Sequence, residues 1–150
     1  MAGIELLSAA FSDHTVIPRR YAKDGDNVSP PLTWSDIPEG TAELVLLCED
    51  PDAPSGNFLH WLVTGIDPGS AGTEAGQTPL GGSPHTNGYR ERGWGGPQPP
   101  TGDPAHRYFF HLYALPEPVS IPDGASADQV HDIVDNRQLA SGTLVGLYQR

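Results

Sequence analysis

The chain has 150 residues, of which 18 are glycine and 16 proline, together about 23% against an average near 12%; that excess argues against a helical bundle or coiled coil. A hydrophobic content of 37% over the length of one ordinary domain, residues 1–150, suffices for a core without metals or cross-links and excludes disorder throughout. Eight Lys and Arg against 19 Asp and Glu give a net charge of −11, so nucleic acid and anionic membrane partners are not expected.

The N-terminal stretch has no basic leader region, and its short apolar run is interrupted by Glu5; neither a signal peptide nor a membrane span is expected, and the cytoplasm is the default setting. A single cysteine, Cys48, cannot close an intrachain disulfide, and its place on an apolar strand face favours an inert thiol. Residues 4–11 and 43–49 read as strands, being short apolar runs bounded by turn formers. Phe58 to Ile66 alternates Phe58, His60, Leu62, Thr64 and Ile66 against Leu59, Trp61, Val63 and Gly65. It reads, with the aromatic-rich Arg107 to Leu115, as a central strand covered on both faces. Between the two, Asp67 to Ala105 is unusually long for a plain loop and suggests an ordered binding loop or small extra strands, with a mobile connector as the alternative.

Ser126 with Gln129 forms a capping box, Ala127, Val130, Ile133 and Val134 mark a helical stripe, and Ser141-Gly142 reads as the helix stop. Thr143 to Tyr148 then closes the chain as a strand. The pattern predicts a mainly β sandwich with one flanking helix near the C-terminus.

Strand parity selects the residues capable of chemistry, because side chains two apart share a face. Leu44, Leu46, Cys48 and Asp50 lie together, so an apolar face ends in a carboxylate that needs donors if buried. Asp50-Pro51-Asp52-Ala53-Pro54 forms a rigid corner, with a cis form open to Ala53-Pro54. His60 by itself is more often a satisfied core residue than a ligand, and His106 and Tyr108 project together if their strand extends back to 106. His14, His85, His111 and His131 read as structural. Asp50, Asp52, His60, His106 and Tyr108 thus form a constellation whose imidazoles and phenol can donate to an anion. A zinc site built from the same residues competes, without local ligand spacing to support it. Serine hydrolysis finds no G-x-S-x-G motif.

Asn27 to Trp34, Asp50-Pro51-Asp52-Ala53-Pro54, His60-Trp61, His106-Arg107-Tyr108 and the ending Leu144 to Arg150 together resemble the phosphatidylethanolamine-binding protein family, in its bacterial and archaeal Raf-kinase-inhibitor-like branch. The resemblance spans nearly the whole chain. It implies a large sheet packed on a smaller antiparallel sheet with a helix on the other side. It also implies a pocket for phosphate, phosphorylated head groups or carboxylates, lined by Asp50, Pro54, His60, His106 and Tyr108, with Asp52 at its rim and backbone from Gly96 to Pro100 closing one side. The family's eukaryotic members carry a C-terminal helix beside this pocket that finds no counterpart here, so a more open pocket is expected. The resulting expectation is a non-enzymatic anion-binding protein, without cofactor or metal, forming homodimers. The alternatives are an inhibitor or interaction partner of a kinase or protease, using the loop 67–105, and a hydrolase using the Asp and His cluster.

Overall fold

The computed structural model describes residues 3–150; Met1 and Ala2, the start of the stretch read for a leader, lie outside the described residues. Among the described residues nine strands and one α-helix follow in the order β1 (Glu5–Leu7), β2 (Thr15–Val16), β3 (Leu32–Ser35), β4 (Glu43–Asp50), β5 (Phe58–Ile66), β6 (Gly72–Thr73), β7 (Ser83–Pro84), β8 (His106–Leu115), α1 (Ala127–Val134) and β9 (Ala140–Tyr148), with a 3-10 turn at Arg19–Tyr21. They build a large sheet of order β2-β9-β8-β4-β5-β7 and a small one of order β1-β3-β6. The predicted sandwich with a flanking helix is therefore the observed fold.

Two cores lie on opposite faces of the large sheet. Leu44, Leu46 and Cys48 of β4, with Tyr108, Phe110 and Leu112 of β8, pack under the small sheet's Leu6, Leu32 and Trp34. On the other face Val45, Leu47, Tyr113 and Leu115 meet Ala127, Val130 and Val134 of α1. Every residue of β4 is buried, as befits a strand paired on both edges and covered on both faces. Three of its residues are acids. Glu43 accepts the backbone N–H groups of Gly65 at 2.6 Å and Val119 at 2.6 Å. Burial works to raise Glu49, but hydrogen bonds from His111, His131 and Asn57 outweigh it and hold the carboxyl at about 2.

Several expectations need correction. Residues 4–11 do not form one strand: pairing ends at Leu7, and Ser8 turns the chain by donating to the Pro31 carbonyl at 2.7 Å. The strict alternation of β5 is broken twice, because β4 pairs Cys48 with Trp61 but Glu49 with Leu59, and Leu44 with Ile66 but Leu46 with Val63. The extra residues are bulges, which re-aim the side chains beside them. Trp61, Val63 and Ile66 consequently share the small-sheet core while Leu59 and Leu62 share the helix-side core. The helix stop also lies elsewhere. α1 ends at Val134, and Ser141-Gly142 belongs to β9, where a side chain on Gly142 would come within 2.3 Å of the Ile4 carbonyl oxygen. That glycine admits a close backbone crossing instead of ending a helix. The Ala53–Pro54 peptide is trans. The long loop does hold small strands, β6 and β7, plus a Thr86–Arg92 bridge.

The capping box forms as predicted, Ser126 Oγ accepting from the Gln129 N–H at 3.1 Å and Gln129 Oε1 from the Ser126 N–H at 2.9 Å. Ser126→Ala is expected to lower stability by ~1 kcal/mol in urea denaturation, with little change in the m-value. Gly142→Ala is expected to cost more than this cap, since its new methyl meets backbone that has no rotamer with which to yield.

Candidate functional site

The ends of β4, β5 and β8 and the loop 94–104 enclose a cavity of about 180 Å³ on the small-sheet side of the large sheet. Asp50, Pro54, His60, His106 and Tyr108, which the sequence singled out, all line it. β8 begins at His106, so His106 and Tyr108 share a face as their spacing requires. His60 arrives by the bulge between Leu59 and Trp61.

Asp50 is 3% exposed and serves as the organising charge. Its Oδ1 accepts the Asp52 N–H at 2.8 Å, closing the corner, and its Oδ2 accepts from His106 Nδ1 at 2.7 Å. The far nitrogen of His106 donates to Asp103 Oδ2 at 3.2 Å. Burial alone would lower His106, but the two carboxylates prevail and raise it, and with each nitrogen turned to a carboxylate the ring favours its charged form. His60 is the opposite case. Burial drives it down to about 4, and its Nδ1–H donates to the Gly95 carbonyl at 2.7 Å, which leaves Nε2 as the ring's free acceptor at neutral pH.

Tyr108 is 1% exposed, and its hydroxyl has no partner at hydrogen-bonding distance and angle among the described residues, although the Asp50 carboxylate stands near enough to draw on its proton. Burial first, and then the charge of Asp50, push this phenol upward, so it is a donor in waiting. Its ring stands edge-on to His60 at 5.1 Å between centroids.

Asp52, expected at the rim, and Gly96, expected to help close one side through its backbone, are not among the lining residues. Asp52 turns outward into a paired interaction with Arg107, accepting from Nε at 3.0 Å, from Nη2 at 2.8 Å and from the backbone N–H at 2.9 Å. These bonds hold its carboxyl below the usual range. Gly96 lies behind the wall, which Gln98, Pro99 and Pro100 form. Its own N–H donates to Asn27 Oδ1 at 2.7 Å, and a side chain there would meet the Tyr21 carbonyl oxygen at 2.3 Å, so Gly96 serves packing.

Tyr89, Phe58, Ser55 and Ala53 complete the lining without having been foreseen. Tyr89 donates to the Gly96 carbonyl at 2.8 Å and is pushed up to about 12 by burial and by Asp50. Nothing local marks it, because its position depends on how a long irregular loop folds back. Asp103 was visible only as an acidic residue three before His106. The C-terminal residue ties down this wall: Arg150 Nε donates to the Pro99 carbonyl at 2.7 Å, and the Gly102 N–H to the Arg150 carbonyl at 3.1 Å.

On the opposite face of the sheet, His111 and His131 are more than isolated structural histidines. Both approach Glu49, at 2.8 Å each. Their convergence depends on α1 docking over β8, which strand parity alone does not reveal.

Comparison with known proteins agrees with this architecture. A family model described as phosphatidylethanolamine-binding protein matches residues 7–149. A UPF0098 protein of Methanothermobacter thermautotrophicus is 41% identical, over 98% of this chain and 99% of its own. Among solved structures, the phosphatidylethanolamine-binding protein homologue CT736 of Chlamydia trachomatis superposes with a TM-score of 0.88 at 34% identity, covering 100% of this chain and 99% of that one. Escherichia coli YbcL, titled a new member of the mammalian PEBP family, superposes with a TM-score of 0.91 at 26% identity over 99% of both chains. Among the described residues no helix is long and apolar enough to cross a membrane. With the two-sheet fold, the Asp50, His60, His106 and Tyr108 cavity and a family match over nearly its whole length, the chain belongs to the phosphatidylethanolamine-binding protein family.

Proposed function

We propose that the chain is a non-enzymatic binding protein whose cavity holds a small oxyanion: phosphate, the phosphate of a phosphorylated head group, or a carboxylate. The observation that carries this reading is the buried Tyr108 hydroxyl without a partner. Leaving such a group unsatisfied costs about 1–3 kcal/mol, which a ligand oxygen would recover. His106 supplies a formal positive charge beside it, and His60 Nε2 offers an acceptor.

That donor and acceptor set favours an oxyanion that still carries a proton, since a neutral His60 repels a bare oxygen and welcomes an O–H. Inorganic phosphate, which keeps an O–H at pH 7, meets this condition best; a phosphomonoester, with a second pKa of about 6, meets it only in its minor monoanionic form, and carboxylates and sulfate are held more weakly. Asp103 opposes any anion, because its carboxylate already occupies the His106 nitrogen nearest solvent. A bare ion is therefore held weakly, with Kd near about 1 mM.

Amide NMR titration at pH 7 tests the reading. Inorganic phosphate and phosphoethanolamine should give saturable shifts near Asp50, His60 and Tyr108, with sulfate weaker. Tyr108→Phe should reduce phosphate affinity by about fivefold or more, as loss of one hydrogen bond to a charged group predicts, and His106→Ala should weaken it by removing the positive charge beside the ligand. Unchanged affinity in both folded variants would remove the assignment.

Asp103→Ala should act in the opposite direction. Two unit charges about 4 Å apart in water interact by ~1 kcal/mol, so removing the like charge beside His106 should tighten phosphate binding by up to about fivefold. The pH dependence has a defined sign as well. His106 is raised in the folded protein, so its charge persists above the ordinary range of histidine, and affinity should fall as pH rises through that elevated value. The same reading takes a cytoplasmic homodimer as the setting; sedimentation at micromolar concentration should give twice the 16.0 kDa chain mass.

A further inference from the structure

The helix-side face of the large sheet carries a second cluster that the anion pocket does not use. Glu49 of β4, His111 of β8 and His131 of α1 bring three ligand atoms within 4.8 Å of one another. His111 Nε2 lies 2.8 Å from Glu49 Oε2, and His131 Nε2 lies 2.8 Å from the same oxygen and 2.9 Å from Oε1.

Both rings are fixed from behind. His111 Nδ1 is 3.0 Å from Thr143 Oγ1, and His131 Nδ1 is 3.1 and 3.2 Å from the two carboxylate oxygens of Asp135. Outer partners of this kind orient metal-binding histidines and fix the proton on the nitrogen away from the ion. Both nitrogens of His131 face carboxylates, which accept only, so in the ion-free protein the ring donates Nδ1–H to Asp135 and Nε2–H to Glu49; a divalent ion would displace the Nε2 proton and leave the one on Nδ1. Asn57 Nδ2 steadies Glu49 Oε1 at 2.7 Å.

We infer that Glu49, His111 and His131 form a binding site for a divalent transition-metal ion of the zinc class, held by Nε2 of each histidine and one carboxylate oxygen. Two imidazoles with one carboxylate suit zinc and its neighbours and leave a fourth position for water. Charge favours the ion, because Glu49 and Asp135 flank the cluster with two carboxylates. Access is open on the histidine side, where the side chains of His131 and His111 are 26% and 16% exposed while Glu49 is 7%. Ligands about 2.0–2.1 Å from a tetrahedral ion stand roughly 3.3 Å apart, so each histidine needs to part from the Glu49 oxygen by only about half an ångström. The sequence reading expected no metal and weighed zinc only at the residues of the anion pocket; this site shares none of them.

The test uses untagged full-length protein stripped with EDTA. Zinc is titrated in competition with a chromophoric chelator, and cobalt(II) serves as a spectroscopic probe of coordination. The expected result is one equivalent of zinc, a visible cobalt spectrum of low coordination number, and at least tenfold weaker zinc uptake in both His111→Ala and His131→Ala. Circular dichroism establishes that the variants fold, and His131, being partly exposed on the helix, is the safer of the two. His106→Ala should leave uptake unchanged. Absence of saturable zinc uptake by the wild type, or uptake that survives both cluster variants and disappears in His106→Ala, would overturn the inference.

Discussion

A central strand buried along its whole length carries three carboxylates, and much of the surrounding structure answers that constraint. Burying an unpaired carboxylate is prohibitive, so each of Glu43, Glu49 and Asp50 must be met by donors. Glu43 is met by backbone from the β5 bulge and from the segment before α1. Asp50 takes His106 and its own turn, and Glu49 takes Asn57 and two further histidines. Neighbours in a strand face opposite ways. Asp50 and Glu49 therefore found two polar clusters back to back through one sheet, and β8 supplies a histidine to each.

The anion pocket works without help from the protein's overall field. Among the residues lining it there is no lysine or arginine, and Arg107, next to His106, is committed to Asp52 on the outside. Recognition must then come from short-range donors and from the single charge on His106. Such a site discriminates by hydrogen-bond complementarity more than by attraction at a distance.

The strands β4, β5 and β8 and the capping box of α1 were legible because length, apolar content and end signals agreed at each. The pocket residues Asp50, His106 and Tyr108 were legible for the same reason, since parity holds on strands that pair without slippage. Parity misplaced side chains on β5, where only Gly65, with φ of +70°, hinted at a bulge. Tyr89 and Asp103 were hidden because irregular backbone has no period to read. Gly142 misled because a glycine after a helix and a glycine under a crossing strand look alike in one dimension. The Glu49 cluster was out of reach, since β4, β8 and α1 meet only in the tertiary fold.

The bulge between Leu59 and Trp61 has a further consequence for how this site can vary among related chains. His60 enters the cavity because one extra residue is accommodated opposite the Cys48–Glu49 step. A chain shorter by that one residue would restore regular pairing and keep Trp61, Leu62 and Val63 on their faces. It would retain a sound hydrophobic core while losing the imidazole altogether. Divergence of the ligand site is thus open to a single-codon deletion as well as to substitution, at little cost to the sheet.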